Sequence, residues 1–227
     1  MLVYMLTFED LRTYEGYQLE LGVTHEIPED PNRRWQKTLC SDSLFNWYLD
    51  PLLAAIWDAS YARYQLRTDR QARLFEAEAS GQIVLGEDLK VSGGSDEITL
   101  LREIPVLEIS RNQRVTFAIL CAQEVTDTPT WGWRAWADKW LSGEDRTEES
   151  ARKAGDNMGA LEGGSAESAA AWAAQQAARH EIYPWILAEE VGMWANQAAV
   201  RSSMQAQRRN LSPLDFLAIA KRAVEKG

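Results

Sequence analysis

An alanine face that repeats with helical spacing is the feature that most constrains this chain. Seven alanines between residues 166 and 178 fall at the i, i+3, i+4, i+7 positions of one helix face. A face made of methyl groups lets a neighbouring helix approach closely, and that neighbour must supply the bulk that alanine lacks. Trp136 and Trp140 lie on one helical stripe that also carries Trp133, and they are suited to fill this space. The pattern predicts a helical C-terminal half with tryptophan packed over alanine.

Capping residues mark the helix boundaries in this half. A helix is predicted from about Arg111 to Thr126. Gly143 is placed to end the tryptophan-bearing helix in the left-handed conformation. Asp145 followed by Glu148 predicts a capping box, and Ser212-Pro213 predicts the start of the last helix.

The first 110 residues are less sharply patterned. Thr7 is interpreted as the N-cap of a short first helix, and Asp50-Pro51 as the start of an amphipathic helix that continues to Ser80-Gly81. Residues 81–110 fit either a small β-hairpin or an extended connector with a loop at Gly93-Gly94, and we prefer the connector. The prediction is a mainly α protein, a helical bundle. It has an acidic, mostly helical region over 1–110 and a Trp/Ala-rich helical region over 111–227, packed as one compact unit.

The net charge of −10 is concentrated in the first half of the chain. Residues 1–100 contain 17 acidic and 9 basic side chains, whereas the rest contains 17 and 15. Such an acidic chain is a poor candidate for binding phosphates, so no direct nucleic-acid binding is expected. It suits a basic protein partner, although acidity also serves solubility alone.

Residues that usually carry chemistry are few. Cys121 lies in an apolar run, which is typical of an inert buried thiol. His25 and His180 are the two histidines, and neither has a ligand neighbour at metal-binding spacing. We therefore expect no metal, no cofactor and no catalytic residues. The apolar first residues lack the basic start of a signal peptide, so a cytoplasmic location is expected and no membrane association.

The ten tryptophans admit two interpretations. The favoured one is an aromatic core over the alanine face. The other is that Trp131 and Trp133, at the edge of the stripe, protrude as anchors for a partner, because tryptophan is enriched in binding hot spots. Candidate partner-binding residues are therefore Trp131 and Trp133, together with the acidic residues Glu87, Asp88, Asp96 and Glu97.

Two segments carry a family resemblance. The run Arg114–Val125 and the run Trp136–Thr147, WADKWLSGEDRT, are followed by the Ala/Trp-rich helix at 165–178. Over roughly residues 98–205 the chain resembles immunity proteins of bacterial polymorphic toxin systems, the immunity-protein-five-like group. The resemblance implies an all-α protein that binds and neutralises a partner, and it supplies no catalytic residues.

Three functions are weighed in this order. The first is a non-enzymatic immunity or inhibitor protein that binds a toxin or nuclease. The second is a phage-encoded acidic anti-defence protein, of the anti-CRISPR or nucleic-acid-mimic kind, whose partner is a defence effector. The third is an enzyme with an unrecognised site, and a homo-oligomer assembled through the alanine faces is a background alternative.

Overall fold

The computed structural model describes residues 1–13, 16–27, 44–57, 72–86, 91–126, 131–159, 165–178 and 184–227. The side chains of Trp131, of residues 158–159 and of residues 184–189 lie outside this description as well. The chain divides into two compact units. The first comprises Met1–Ala55 with Arg67–Leu107, and the second comprises Ile56–Leu66 with Glu108–Gly227.

The first unit contains an antiparallel sheet. In the described residues its strands are β1 (Leu2–Phe8), β2 (Thr24–Glu26), β3 (Phe45–Tyr48), β4 (Ala72–Leu85) and β5 (Ser92–Ile104). Four pairings, β1 with β4, β4 with β5, β5 with β3 and β3 with β1, close a ring, so these strands form a small barrel. The short β2 lies outside the ring and pairs with β5 alone.

Trp47 fits inside this barrel because the residue opposite it, Gly93, has no side chain. Trp47 is fully buried, and its Nε1 donates to Ser95 Oγ at 3.2 Å. Gly93 lies opposite Trp47 on β5, and a Cβ at that position would overlap the indole ring. A Cβ at Gly94 would likewise overlap the Leu44 side chain. Gly93-Gly94 is predicted as a loop but lies within β5. Glycine occurs in this strand because core side chains pack directly against its backbone.

The prediction of a mainly α bundle is wrong. The described chain is mixed, with helices in the second unit and a five-stranded antiparallel sheet in the first. The predicted first helix at Thr7 is replaced by β1, and the helix from Asp50-Pro51 is described over Pro51–Trp57. Residues 58–71 of that prediction lie outside the described residues, and β4 begins at Ala72. Between residues 81 and 110 the hairpin alternative holds rather than the preferred connector, because β4 and β5 form a long antiparallel pair.

Helix-forming residues in a strand account for this error. Phe75, Ala77 and Ala79 are buried, while the alternating Glu76 and Glu78 point away from the core. Alanine and glutamate favour helices in isolation. Over this part of β4 every second side chain is buried in the core, and this burial outweighs the preference of alanine and glutamate for helix.

The second unit is a helical bundle. Its helices are α2 (Arg111–Val125), α3 (Trp131–Ser142), α4 (Glu148–Gly159), α5 (Ala166–Ala178), α6 (Pro184–Arg208) and α7 (Phe216–Lys226). The short α1 (Pro51–Trp57) contributes its last two residues, and Trp57 packs edge-on against Phe117 and Phe216.

The alanine face packs as predicted. Five of the seven alanines of this face are completely buried, and Ala177 and Ala178 are partly buried against the same core. This core includes Trp133, Trp136 and Trp140, which lie side by side with ring centroids about 6 Å apart. The predicted helix from Arg111 is confirmed, and Gly143 has the expected positive φ of 80°.

Two of the predicted caps are displaced. Thr147, rather than Asp145, caps α4, since Thr147 Oγ1 accepts from the Ser150 N–H at 3.3 Å. Asp145 instead accepts from the Thr147 N–H and hydroxyl. Asp215 caps α7, three residues beyond the predicted serine.

Candidate functional site

Acidic side chains gather on the outer face of the sheet in the first unit. The strand register places these side chains in cross-strand rows on the face opposite the barrel core. One row runs Tyr4, Glu76, Arg102; the next runs Leu2, Glu78, Thr99, Thr24; the third runs Ser80, Glu97, Glu26. We call this set of side chains the acidic face.

One of its four carboxylates is paired with a cation. Arg102 donates to both oxygens of Glu76, at 2.6 and 2.5 Å, and this hydrogen bonding raises the pKa of the Arg102 guanidinium. Glu97 accepts from the Ser80 hydroxyl at 2.7 Å. Within the described residues, Glu78 and Glu26 have neither a salt bridge nor a side-chain hydrogen bond, and both are exposed.

Two glutamates of the acidic face stand directly opposite each other. Glu26 on β2 is the cross-strand partner of Glu97 on β5. Like charges in such a position destabilise an antiparallel pair. This register therefore concentrates negative charge at a place where a neutral pair would be more stable.

An exposed apolar side chain borders these carboxylates. Leu2, 56% exposed, is the cross-strand neighbour of Glu78. The surface thus combines negative charge with accessible hydrocarbon.

Two of the predicted acidic site residues lie in the described part of the chain. Asp96 and Glu97 are neighbours on β5, and Glu97 belongs to the acidic face. Asp96 instead accepts from the Gln82 N–H at 2.6 Å, beside the β-bulge where Gly81 has a φ of 67°. Glu87 and Asp88 lie outside the described residues.

Of the two predicted tryptophan anchors, the structure describes the side chain of Trp133 alone. Trp133 is only 3% exposed, and its Nε1 donates to the Glu167 carbonyl at 3.0 Å in the core of the second unit. Its ring is therefore not available to a partner. Trp131 is the first residue of α3, and its side chain is outside the described part of the chain.

Sequence reasoning missed Glu26 and Glu78. The alternation of Phe75, Glu76, Ala77 and Glu78 was a usable signal for an outward-facing acidic strand. Nothing in the sequence links Glu26 to Glu97, because that contact depends on the register between two distant strands.

The second unit holds one buried acid, Glu167, within its described residues. It is 7% exposed and lies in the first turn of α5, where the helix dipole favours a carboxylate. Its Oε1 is 2.7 Å from Thr126 Oγ1, while its Oε2 has no hydrogen-bond partner in the described part of the chain. This arrangement joins the end of α2 to the start of α5.

Groups suited to catalysis are not assembled in the described residues. Burial raises the pKa of the Cys121 thiol well above its ordinary value, which disfavours the reactive thiolate. The described residues contain no cluster of three His, Cys, Asp or Glu side chains that could hold a metal ion. His25 accepts a hydrogen bond from the Glu20 N–H through Nε2 at 2.8 Å, which fixes a loop. In the part of the chain that the structure describes, no helix is long and apolar enough to cross a membrane.

Comparison with protein-family models, with curated proteins and with solved structures finds no match to this chain. The resemblance to immunity proteins stays a prediction from the residues.

Proposed function

We propose that this protein is a non-enzymatic, immunity-type inhibitor that binds a basic toxin or nuclease through the acidic face. The observation that carries the proposal is the pairing of Glu26 opposite Glu97, with Glu78 exposed and unpaired among the described residues. A function that requires negative charge at this place accounts for like charges in cross-strand positions, which lower the stability of the free protein.

A basic partner would remove that cost on binding. Lysine or arginine side chains placed between Glu26, Glu97 and Glu78 would form charge-assisted hydrogen bonds and screen the repulsion. Complementary charge also speeds the encounter of the two proteins and discriminates against acidic competitors. Leu2 supplies an apolar contact that a charged surface alone lacks.

Co-purification from the native host tests this proposal. The tagged protein is used as bait at about 50 mM salt in a nuclease-treated extract, so that nucleic acid cannot bridge the proteins, and bound material is then eluted at about 0.5 M salt. We expect one protein of net positive charge, retained in stoichiometric amount and released by salt. Retention of no stoichiometric partner at low salt, or of an acidic one, would contradict the proposal.

A further inference from the structure

The outer edge of β2 is open in the described structure. β2 is the last strand in the order of the sheet and pairs with β5 along one side. The Ile27 N–H donates to the Asp96 carbonyl at 2.8 Å, so Ile27 and, two residues earlier, His25 direct their backbone groups toward β5. The intervening residues, Thr24 and Glu26, therefore direct their N–H and C=O groups away from the sheet.

Side-chain geometry agrees with this assignment. Residues in a non-hydrogen-bonded antiparallel pair stand closer together than those in a hydrogen-bonded pair. The Oγ1 atoms of Thr24 and Thr99, which are cross-strand partners, are 2.8 Å apart. No backbone hydrogen bond of the described structure occupies the outward groups of Thr24 or Glu26.

This open edge is held in a fixed conformation. The Glu20 N–H donates to His25 Nε2 at 2.8 Å, and the Gly22 N–H donates to the Leu100 carbonyl at 2.8 Å. The loop before β2 is thus tied both to the strand and to β5. A partner that adds to the edge does not have to order it first.

We propose that the partner binds by adding an extended, basic strand to the open edge of β2. A strand beside β2 receives main-chain hydrogen bonds from Thr24 and Glu26. Its residue opposite Glu26 projects onto the acidic face, in the same row as Glu26 and Glu97, where lysine or arginine meets the Glu26 carboxylate. This inference rests on the proposed function, because it specifies how the partner of that function is held.

A second copy of this chain is a poorer occupant of the edge. Pairing β2 with β2 of another copy places the Glu26 side chains of both copies on the shared strands, and both copies carry a net charge of −10. Charged side chains on an edge strand oppose such self-pairing. Charge therefore favours a basic segment from a different protein.

The test uses a blocked hexapeptide of alternating lysine and valine as the probe, with a version N-methylated at every residue as its control. The N-methylated peptide keeps the charge but cannot donate backbone hydrogen bonds. On the protein side, Thr24→Pro removes the outward N–H, and Thr24→Val is the matched control that removes only the hydroxyl. Proline is tolerated on an edge strand because the lost donor does not belong to the ladder with β5.

We expect the unmethylated peptide to bind the wild type and Thr24→Val, and Thr24→Pro to weaken binding about tenfold, the worth of one or two backbone hydrogen bonds. In the wild type, hydrogen exchange at the Thr24 and Glu26 amides should slow on adding the peptide. This measurement remains decisive if Thr24→Pro fails to fold.

Strand addition is overturned if the unmethylated peptide does not bind, if both peptides bind equally, or if Thr24→Pro and Thr24→Val bind alike. An unchanged exchange rate at both amides in the peptide-bound protein overturns it as well. Each of these results leaves the host co-purification untouched, so failure of strand addition is distinct from failure of the proposed function. A dimer of the protein alone that Thr24→Pro dissociates would overturn the choice of occupant.

Discussion

Tryptophan rings lie directly against glycine at two places in the described fold, one in each unit. Trp47 covers Gly93 in the barrel, and Trp172 covers Gly155 on α4. Trp172 is also held edge-on by Trp194, with ring centroids 4.6 Å apart. These rings have little room to retreat, so the glycines are determined by packing rather than by backbone conformation.

Alanine at Gly155 is expected to destabilise the second unit. Its Cβ would stand 2.8 Å from Cδ1 and Nε1 of Trp172, and such overpacking costs about 1–3 kcal/mol. A Cβ added to Gly132 on α3 would meet no described atom within 4 Å, so Gly132→Ala should gain roughly 0.5–1 kcal/mol from helix propensity. Urea unfolding of both variants measures the difference. Equal effects of the two substitutions would contradict the packing argument.

Side-chain burial in the second unit was largely predictable from spacing. The spacing predicts Trp136 and Trp140 in the core, and both are buried. Trp133 is a predicted anchor for a partner, although it stands three residues before Trp136 on the same helix face. The helical period predicts burial of Trp133, which is correct. The enrichment of tryptophan in interfaces predicts exposure of the ring, which is wrong for this residue.

Polar side-chain contacts stabilise two elements of the fold, helix α2 and the β4–β5 hairpin. Ser110 and Gln113 form a reciprocal capping box at the start of α2. On the hairpin, Arg73 of β4 donates to both oxygens of Glu103 on β5, at 3.0 and 2.6 Å. The first contact fixes a helix boundary, and the second joins the ends of the two longest strands.

Removing the cap of α2 should lower stability. Ser110→Ala loses the side-chain acceptor for the Gln113 N–H and is expected to cost about 1 kcal/mol. Ser142→Ala, an exposed serine at the end of α3, serves as the control and should change the free energy of unfolding by less than about 0.5 kcal/mol. Both are measured by urea unfolding. A Ser110→Ala protein as stable as the control would show that the box is dispensable.

The ion pair on the hairpin should make stability depend on pH. The hydrogen bond from Arg73 lowers the pKa of Glu103 below its ordinary value. A lowered folded-state pKa contributes stability that is present above the unfolded pKa and lost as the pH falls through the carboxyl range, from about pH 5 downward. Both side chains are partly exposed, so the contribution is within about 1 kcal/mol.

Glu103→Gln tests this ion pair. The loss of stability relative to the wild type should be greatest at pH 7 and should disappear toward pH 3. With Arg73→Met as the background, the substitution should lose its pH dependence. A penalty that is constant from pH 7 to pH 3 would exclude the ion pair as its cause.

Helix existence was easier to predict than strand existence. The helices of the second unit follow from periodicity and caps, with Thr147 and Asp215 displacing the expected capping residues by two or three positions. The strands of the first unit contain alanine, glutamate and paired glycines, whose local preferences oppose a strand. Long-range pairing decides their structure, and a single sequence carries no direct record of that pairing.

At the scale of the whole molecule, charge and core packing are divided between the two units. The helical unit contains the alanine and tryptophan core, and the barrel unit carries the acidic face. Composition indicated that the acidity lies in the first half, but the register that brings Glu26, Glu78 and Glu97 onto one face was not predictable. The acidic face follows from strand pairing, and the partner class that we propose rests on its charge.

Binding of the co-purified partner to two charge-reversed variants tests the central claim most directly. Glu26→Lys with Glu78→Lys reverses two exposed carboxylates of the acidic face. Asp138→Lys with Glu225→Lys reverses two exposed carboxylates on α3 and α7 and changes the net charge equally. Affinities are measured by isothermal titration calorimetry at fixed salt. The Kd of the first variant should rise at least about a hundredfold, because two ion pairs are lost and repulsion is added. The Kd of the second variant should change by less than about threefold. Equal weakening of both variants would show that net charge alone attracts the partner, and unchanged affinity in the first would show that the acidic face is not where it binds.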